Sequence, residues 1–70
     1  MTNKELIKSL LETTETSLLN LEEMYKMNNE TIAGELNIIE NLIEMMRIED
    51  DDILNLFTKI YNKNEKARNV

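Results

Sequence analysis

Apolar residues recur along the chain at alternating steps of three and four, the spacing of one face of an α-helix. The first stripe consists of Ile7, Leu11, Thr14, Leu18, Leu21 and Tyr25. The second consists of Ile32, Leu36, Ile39, Ile43 and Met46, with Ile38 and Leu42 beside it. A third apolar pattern is formed by Ile53, Leu54, Leu56, Phe57, Ile60 and Tyr61. The spacing predicts an all-α protein with three amphipathic helices.

Polar residues between the stripes predict where these helices begin and end. Thr2 and Glu5 fit a capping box, in which each side chain satisfies a free N–H group at the helix start. The stripes are out of phase across Asn28-Asn29, and paired Asn favours a turn there over one fused helix. Acids at 49–52 precede the third pattern, as a helix N-terminus favours. We expect helices at about 2–27, 30–48 and 51–66.

The same stripes predict the hydrophobic core. Its expected members are Leu11, Leu18, Leu21, Ile39, Ile43 and Phe57. Thr14 is the polar member of its stripe, and its hydroxyl is expected to bond back to its own helix. Met24, Met27, Met45 and Met46 lie near helix ends. Filling core gaps is the commoner role of Met, and a partner groove is the alternative.

Seventy residues are enough for a single domain, residues 1–70, that buries a modest share of its surface. The chain has no Cys and no His, so disulfides and the commonest zinc ligands do not reinforce it. Association with another chain is the remaining way to stabilise so small a core. We expect a helical hairpin plus a shorter third helix in a small, homodimeric bundle. A fused first helix would instead give an extended coiled-coil dimer.

The net charge of −6 is unevenly distributed along the chain. Residues 1–58 carry 13 acidic and 4 basic side chains, a net of −9, whereas residues 59–70 carry a net of +3. An acidic body repels phosphate, so nucleic acid is not the expected partner. We expect a protein partner with a basic or apolar groove. The candidate contacts are Glu40, Glu44, Asp50, Asp51 and Asp52.

The absence of Cys is compatible with a reducing cytosol, and we expect a cytoplasmic location without a membrane span. No apolar run exceeds three residues, whereas about 20 are needed to cross a bilayer. Charges interleave with apolar residues over 1–8, so no signal peptide is expected.

Acidic pairs one helical turn apart occur at Glu12 with Glu15 and at Glu49 with Asp52. They resemble the Glu-x-x-Glu and Glu-x-x-Asp pairs that hold Mg²⁺ in nucleotide pyrophosphatases of the MazG type. Such pairs arise readily in a Glu-rich chain, and no Lys or Arg is placed clearly to bind phosphates. The acids at 49–52 also lack the ligand spacing of a calcium loop. Without His or Cys the usual nucleophile–base pairs are unavailable, so we expect no enzyme, metal or cofactor.

Residues 31–43, with the sequence TIAGELNIIENLI, resemble the core of a helix-turn-helix. The resemblance implies a turn at Asn37 and a recognition helix over 40–47 that presents Glu40 and Glu44 to DNA. The unbroken spacing from Ile32 to Met46 instead predicts one continuous helix, which we favour.

The leading functional expectation is a small acidic protein that modulates a larger protein as an inhibitor, antirepressor or adaptor. Small proteins of phages and mobile elements often have this profile. The analogy rests on size and composition and not on a motif. The alternatives are a transcriptional regulator and a structural or assembly coiled coil.

Overall fold

A computed structural model describes residues 2–19 and 28–68 of the chain. It contains three helices: α1 (Asn3–Leu19), α2 (Asn29–Met45) and α3 (Asp51–Arg68). Each helix packs against both others in a three-helix bundle. The predicted all-α class is therefore confirmed. The last turns expected for helix one, with Leu21, fall in residues 20–27 and lie outside the described residues.

Contacts between the helices establish their directions. Asn29 at the start of α2 lies beside Asn64 near the end of α3, so these two helices are antiparallel. Lys4 near the start of α1 pairs with Asp50, which directly precedes α3. Lys59 further along α3 pairs with Glu15 of α1. The helices α1 and α3 therefore run in the same direction, with α2 against both.

Thr2 caps the start of α1, and one of the two backbone hydrogen bonds of the predicted capping box is formed. The backbone N–H of Glu5 donates to the Thr2 hydroxyl oxygen at 3.1 Å. The Thr2 hydroxyl donates in turn to the Glu5 carboxylate at 3.0 Å. This bond joins the two side chains, and the first N–H groups of the helix gain an acceptor.

The conformation of Asn28 excludes a single helix that fuses the first two helices. Its backbone is extended (φ −73°, ψ 160°), and its side chain accepts a hydrogen bond from the N–H of Thr31 at 2.8 Å. This is N-cap geometry, which begins a new helix. Because α1 and α2 also pack against each other, the extended coiled-coil alternative is wrong.

The end of α2 lies three residues before the predicted position of 48. Arg47 adopts a left-handed conformation with φ 54°. Its N–H donates to the carbonyl of Glu44, and the N–H of Ile48 donates to the carbonyl of Ile43. These two bonds form a Schellman motif, in which the chain reverses and the last carbonyls are satisfied. Ile48 then packs against the core instead of continuing the helix.

The third helix begins at the predicted residue but is not the shorter one. The Asp50 carboxylate accepts a hydrogen bond from the N–H of Ile53 at 3.1 Å, which confirms the acidic run as a helix cap. The helix spans 18 residues against 17 for α2 and ends at Arg68 rather than at 66. Arg68 pairs with Glu65 one turn earlier and with Glu30 on α2. These pairs attach the last turn to the bundle.

The core combines the inner stripes of all three helices. Its buried members are Ile7, Leu11, Ile32, Leu36, Ile39, Ile43, Ile53 and Ile60. The predictions for Leu11, Ile39 and Ile43 are confirmed. Leu18 and Phe57 are partly buried and pack against this core.

Two polar side chains are also buried in the bundle. Thr14 donates to the carbonyl of Leu10 at 2.9 Å, as predicted. Asn64 is 1% exposed and was not expected in the interior. It accepts a hydrogen bond from the Asn29 amide at 2.8 Å and donates to the Asn29 carbonyl at 3.0 Å. The pair joins α2 to α3 at a defined register.

Candidate binding surfaces

A three-helix bundle has three grooves, one along each helix pair, and their side chains differ in chemistry here. The α1/α3 groove is crossed by ion pairs. Lys4 pairs with Asp50, and the Lys59 ammonium lies 3.2 Å from the Glu15 carboxylate. That carboxylate oxygen of Glu15 is buried and accepts no hydrogen bond. The ion pair with Lys59 therefore offsets the cost of burying its charge.

The Lys4–Asp50 pair also alters two pKa values. The hydrogen bond from Lys4, followed by that from the Ile53 N–H, holds the pKa of Asp50 below its ordinary 3.8. The same hydrogen bond to Asp50 raises the pKa of Lys4. Both groups are solvent-accessible, and each stays charged at neutral pH. The α1/α3 groove is therefore occupied by the protein's own charges.

The α2/α3 groove is open, with a volume of about 400 Å³. Its floor contains Leu36 of α2 and the rings of Phe57 and Tyr61, which stack with centroids 6.3 Å apart. Glu40 lines one edge and Glu65 the other. The groove therefore combines an aromatic floor with carboxylates along both edges.

Arg68 lies in the same groove, near the start of α2. Its guanidinium is bonded to Glu65 and to Glu30, and these bonds raise its pKa. Because Arg68 is already paired with two carboxylates, its charge is locally compensated. Among the described residues, Glu40 is the groove carboxylate that has no ion-pair partner.

The five predicted contact acids do not form one cluster. Glu40 lines the α2/α3 groove, and Glu44 lies one turn further along the same edge of α2. Asp50 caps α3 and pairs with Lys4, and Asp52 lies on the α1 side beside them. Asp51 is exposed in the first turn of α3. Glu40 and Glu44 are thus the two that share a groove.

The region that resembles a helix-turn-helix is a single helix. Residues 31–43 all lie within α2, so the turn implied at Asn37 is not formed. Asn37 instead lines the α2/α3 groove. Hydrophobic residues on both sides of Asn37, Leu36 and Ile39, enter the same core, which keeps the helix straight through this point.

The two acids of the Glu12–Glu15 pair considered for Mg²⁺ have different surroundings. Glu15 is engaged with Lys59, whereas Glu12 lies on the outer surface of α1. Within residues 2–19 and 28–68, no three acidic, His or Cys side chains are grouped as metal ligands require.

The α1/α2 groove is the most apolar of the three, with a volume of about 330 Å³. Leu10, Ile38 and Leu42 line it, and Glu35 is the one charged residue that does so within residues 2–19 and 28–68. Ile38 is 60% exposed, and Met45, two turns further along the same side of α2, is 79% exposed. In the sequence, Ile38 and Leu42 lie beside the core stripe. Only the packing shows that they border an open apolar groove.

Compared with protein-family models, with curated proteins and with solved structures, the chain gives no significant match. In the described ranges, none of the three helices has the length and apolar character that crossing a bilayer requires.

Proposed function

We propose that this protein is a small, non-enzymatic modulator that binds a larger protein partner and acts as an inhibitor, antirepressor or adaptor. The observation that carries the proposal is the α2/α3 groove, with its aromatic floor and acidic edges. The partner would supply a basic amphipathic helix. Its apolar face would cover Phe57 and Tyr61, and its Lys or Arg side chains would lie against Glu40 and Glu44.

The chemistry of the groove supports this mode of recognition. A helix laid in an apolar groove gains most of its affinity from a few apolar anchors, and Tyr is enriched among such anchors. Tyr61 is half-exposed, so its ring is available to a partner. Carboxylates at the edge add little affinity when exposed, but they select for a basic partner and increase the association rate.

Charge supports a protein partner rather than DNA or RNA. The net charge of −6 attracts a basic surface and repels phosphate. The chain's lack of His and Cys, the commonest side chains in nucleophile–base pairs, supports the non-enzymatic part of the proposal. We also propose that the protein is a homodimer in the cytoplasm, as its small size and composition indicate.

Affinity capture from the native host tests this function when groove variants are compared with the wild type. Glu40→Lys reverses one charge at the groove edge, and Tyr61→Ala removes an anchor from its floor. Glu12→Lys, on the outer surface of α1, is the matched control for the charge reversal. A basic protein captured by the wild type and Glu12→Lys, but depleted by both groove variants, is the expected result.

Two results would contradict the proposal. One is a partner captured equally by the wild type and by both groove variants, since that partner would bind elsewhere. The other is recovery of duplex DNA whose binding weakens steeply with salt, which would support the transcriptional alternative. Circular dichroism of each variant checks that the helices are retained.

A further inference from the structure

We propose that the α1/α2 face, defined by Leu6, Leu10, Ile38, Leu42 and Met45, is the surface through which two copies of this chain associate. This inference rests on the proposed homodimer and assigns its interface. The occupant is a second copy of the same face, related by a twofold axis. The α2/α3 groove is then left free for the partner.

Helical geometry places these five residues on one side of the bundle. Leu6 and Leu10 are four apart on α1, and Ile38, Leu42 and Met45 follow the steps four and three on α2. Leu10, Ile38 and Leu42 line the same groove. Except for Leu42, which is partly buried, all are among the exposed large apolar side chains of the protein. The face therefore combines an apolar groove with exposed apolar side chains that extend along the same sides of α1 and α2.

Charge identifies a second copy as the occupant. The copies carry −6 each, so they repel unless they meet where carboxylates are few. The α1/α3 groove is lined by Lys4, Lys8, Asp50 and Asp52, and the α2/α3 groove by Glu40, Glu65 and Arg68. Among the residues that the structure describes, one charged side chain, Glu35, lines the α1/α2 groove. Two copies that meet at the α1/α2 groove therefore bury fewer charged lining groups than they would at either other groove, so this apolar face fits another of its kind.

Shape supports the same assignment. A twofold interface must be self-complementary, because each copy contributes both the protruding and the receiving surface. Of the large apolar side chains that the structure describes, Ile38 and Met45 are the two most exposed, and a groove of about 330 Å³ lies beside Ile38. The side chain of Ile38 in one copy can therefore enter the groove of the other copy.

The available area is sufficient for a stable dimer. A standard interface buries about 800 Å² per partner. The accessible surface of the chain is 5178 Å², so such an interface would use roughly a sixth of it. One of the three lateral faces of a bundle 33 Å long provides that share. The result would be a four-helix layer built from α1 and α2 of each copy.

Sedimentation equilibrium over a concentration series tests the interface with Ile38→Lys and Met45→Lys. Leu54→Lys is the control, because Leu54 is an exposed apolar residue on α3. Each substitution changes the net charge from −6 to −5, which reduces repulsion between copies. Loss of the dimer in the first two variants therefore cannot come from added net charge.

The wild type and Leu54→Lys should sediment at twice 8.3 kDa with the same Kd. Ile38→Lys and Met45→Lys should raise the dimer Kd by more than about a hundredfold, because each dimer would bury two ammonium groups at an apolar contact. Glu35→Gln should lower the dimer Kd, since it removes the one carboxylate that lines the groove. Added salt should not weaken the wild-type dimer.

The outcomes separate this inference from the proposals on which it depends. A dimer that persists in Ile38→Lys and Met45→Lys overturns the interface and leaves the homodimer standing. A wild type that sediments at 8.3 kDa at every concentration overturns both. Partner capture by the monomeric Ile38→Lys variant should equal that of the wild type, because the α2/α3 groove is on another side. If the Ile38→Lys variant lost partner capture together with the dimer, the separation of the two surfaces would be overturned.

Discussion

Arg47 occupies a backbone position that favours glycine, and replacing it should stabilise the protein. With φ 54° it is the left-handed residue that ends α2. In this conformation the Cβ of an ordinary residue is too close to the following carbonyl oxygen. Glycine has no Cβ, so Arg47→Gly should relieve this strain and keep both Schellman hydrogen bonds. The Arg47 side chain is exposed, so its removal costs no core packing.

The size of the effect follows from two opposing terms. A left-handed conformation costs an L-residue about 1–2 kcal/mol. Glycine offsets about 0.5–1 kcal/mol of that gain, because an unfolded chain with glycine at this position is more flexible and loses more conformational entropy on folding. The free energy of unfolding should therefore rise by about 0.5–1 kcal/mol. For a domain of this size, that corresponds to an increase in Tm of about 2–8 °C.

Urea and thermal unfolding followed by circular dichroism measure this change. Protein concentration is held constant, because the stability of a dimer depends on it. Arg47→Asn should give a smaller gain, since Asn tolerates the left-handed region better than most residues. Glu44→Gly, an exposed position inside α2, is the control and should lose about 1 kcal/mol. If Arg47→Gly destabilises as much as Glu44→Gly, the left-handed helix end is refuted.

Three further substitutions test the interior and the α1/α3 ion pair. Leu36→Ala should lower the free energy of unfolding by about 2–5 kcal/mol in urea titrations, because it empties a fully buried site. Asn64→Ala should cost about 1–3 kcal/mol in the same assay by removing two hydrogen bonds to Asn29, and an unchanged midpoint would contradict their presence. The pKa of Asp50 is lower in the folded state than its unfolded value of 3.8. The ionised carboxylate therefore contributes fully to the free energy of unfolding above pH 3.8, and this contribution is lost as the pH falls through the lower folded pKa. The wild type should accordingly be more stable than Asp50→Asn at neutral pH, and unfolding curves at decreasing pH should converge; a difference that persists in strong acid would count against the pair with Lys4.

Helix starts were predictable from the sequence because their signals are local. The Thr2–Glu5 cap and the Asp50 cap each join residues three apart, so no knowledge of the fold was needed. The stripe from Ile32 to Ile43 was equally readable, since every member that faces the core follows the helical period. That period also favoured a continuous helix over a turn at Asn37.

Helix ends and buried polar residues were less predictable. Arg47 is an ordinary helix residue by propensity, and α2 ends there because Ile48 packs back onto the core. The last turn of α3 depends on Arg68 meeting Glu30, 38 positions away. Asn64 is buried because Asn29 lies opposite it, and neither residue signals the other in the sequence.

The candidate surfaces show the same division between local and long-range information. The sequence by itself determined the helical class, the core stripes and the helix caps, because side chains three or four residues apart share a helix face and hydrogen-bond locally. Only the tertiary structure decided that Asp50 pairs with Lys4, that Glu40 borders the aromatic groove, and that Ile38 stays exposed. The physical reason is that the rotation of each packed helix about its axis determines which of its two flanks borders which groove. That rotation depends on contacts between residues far apart in the chain.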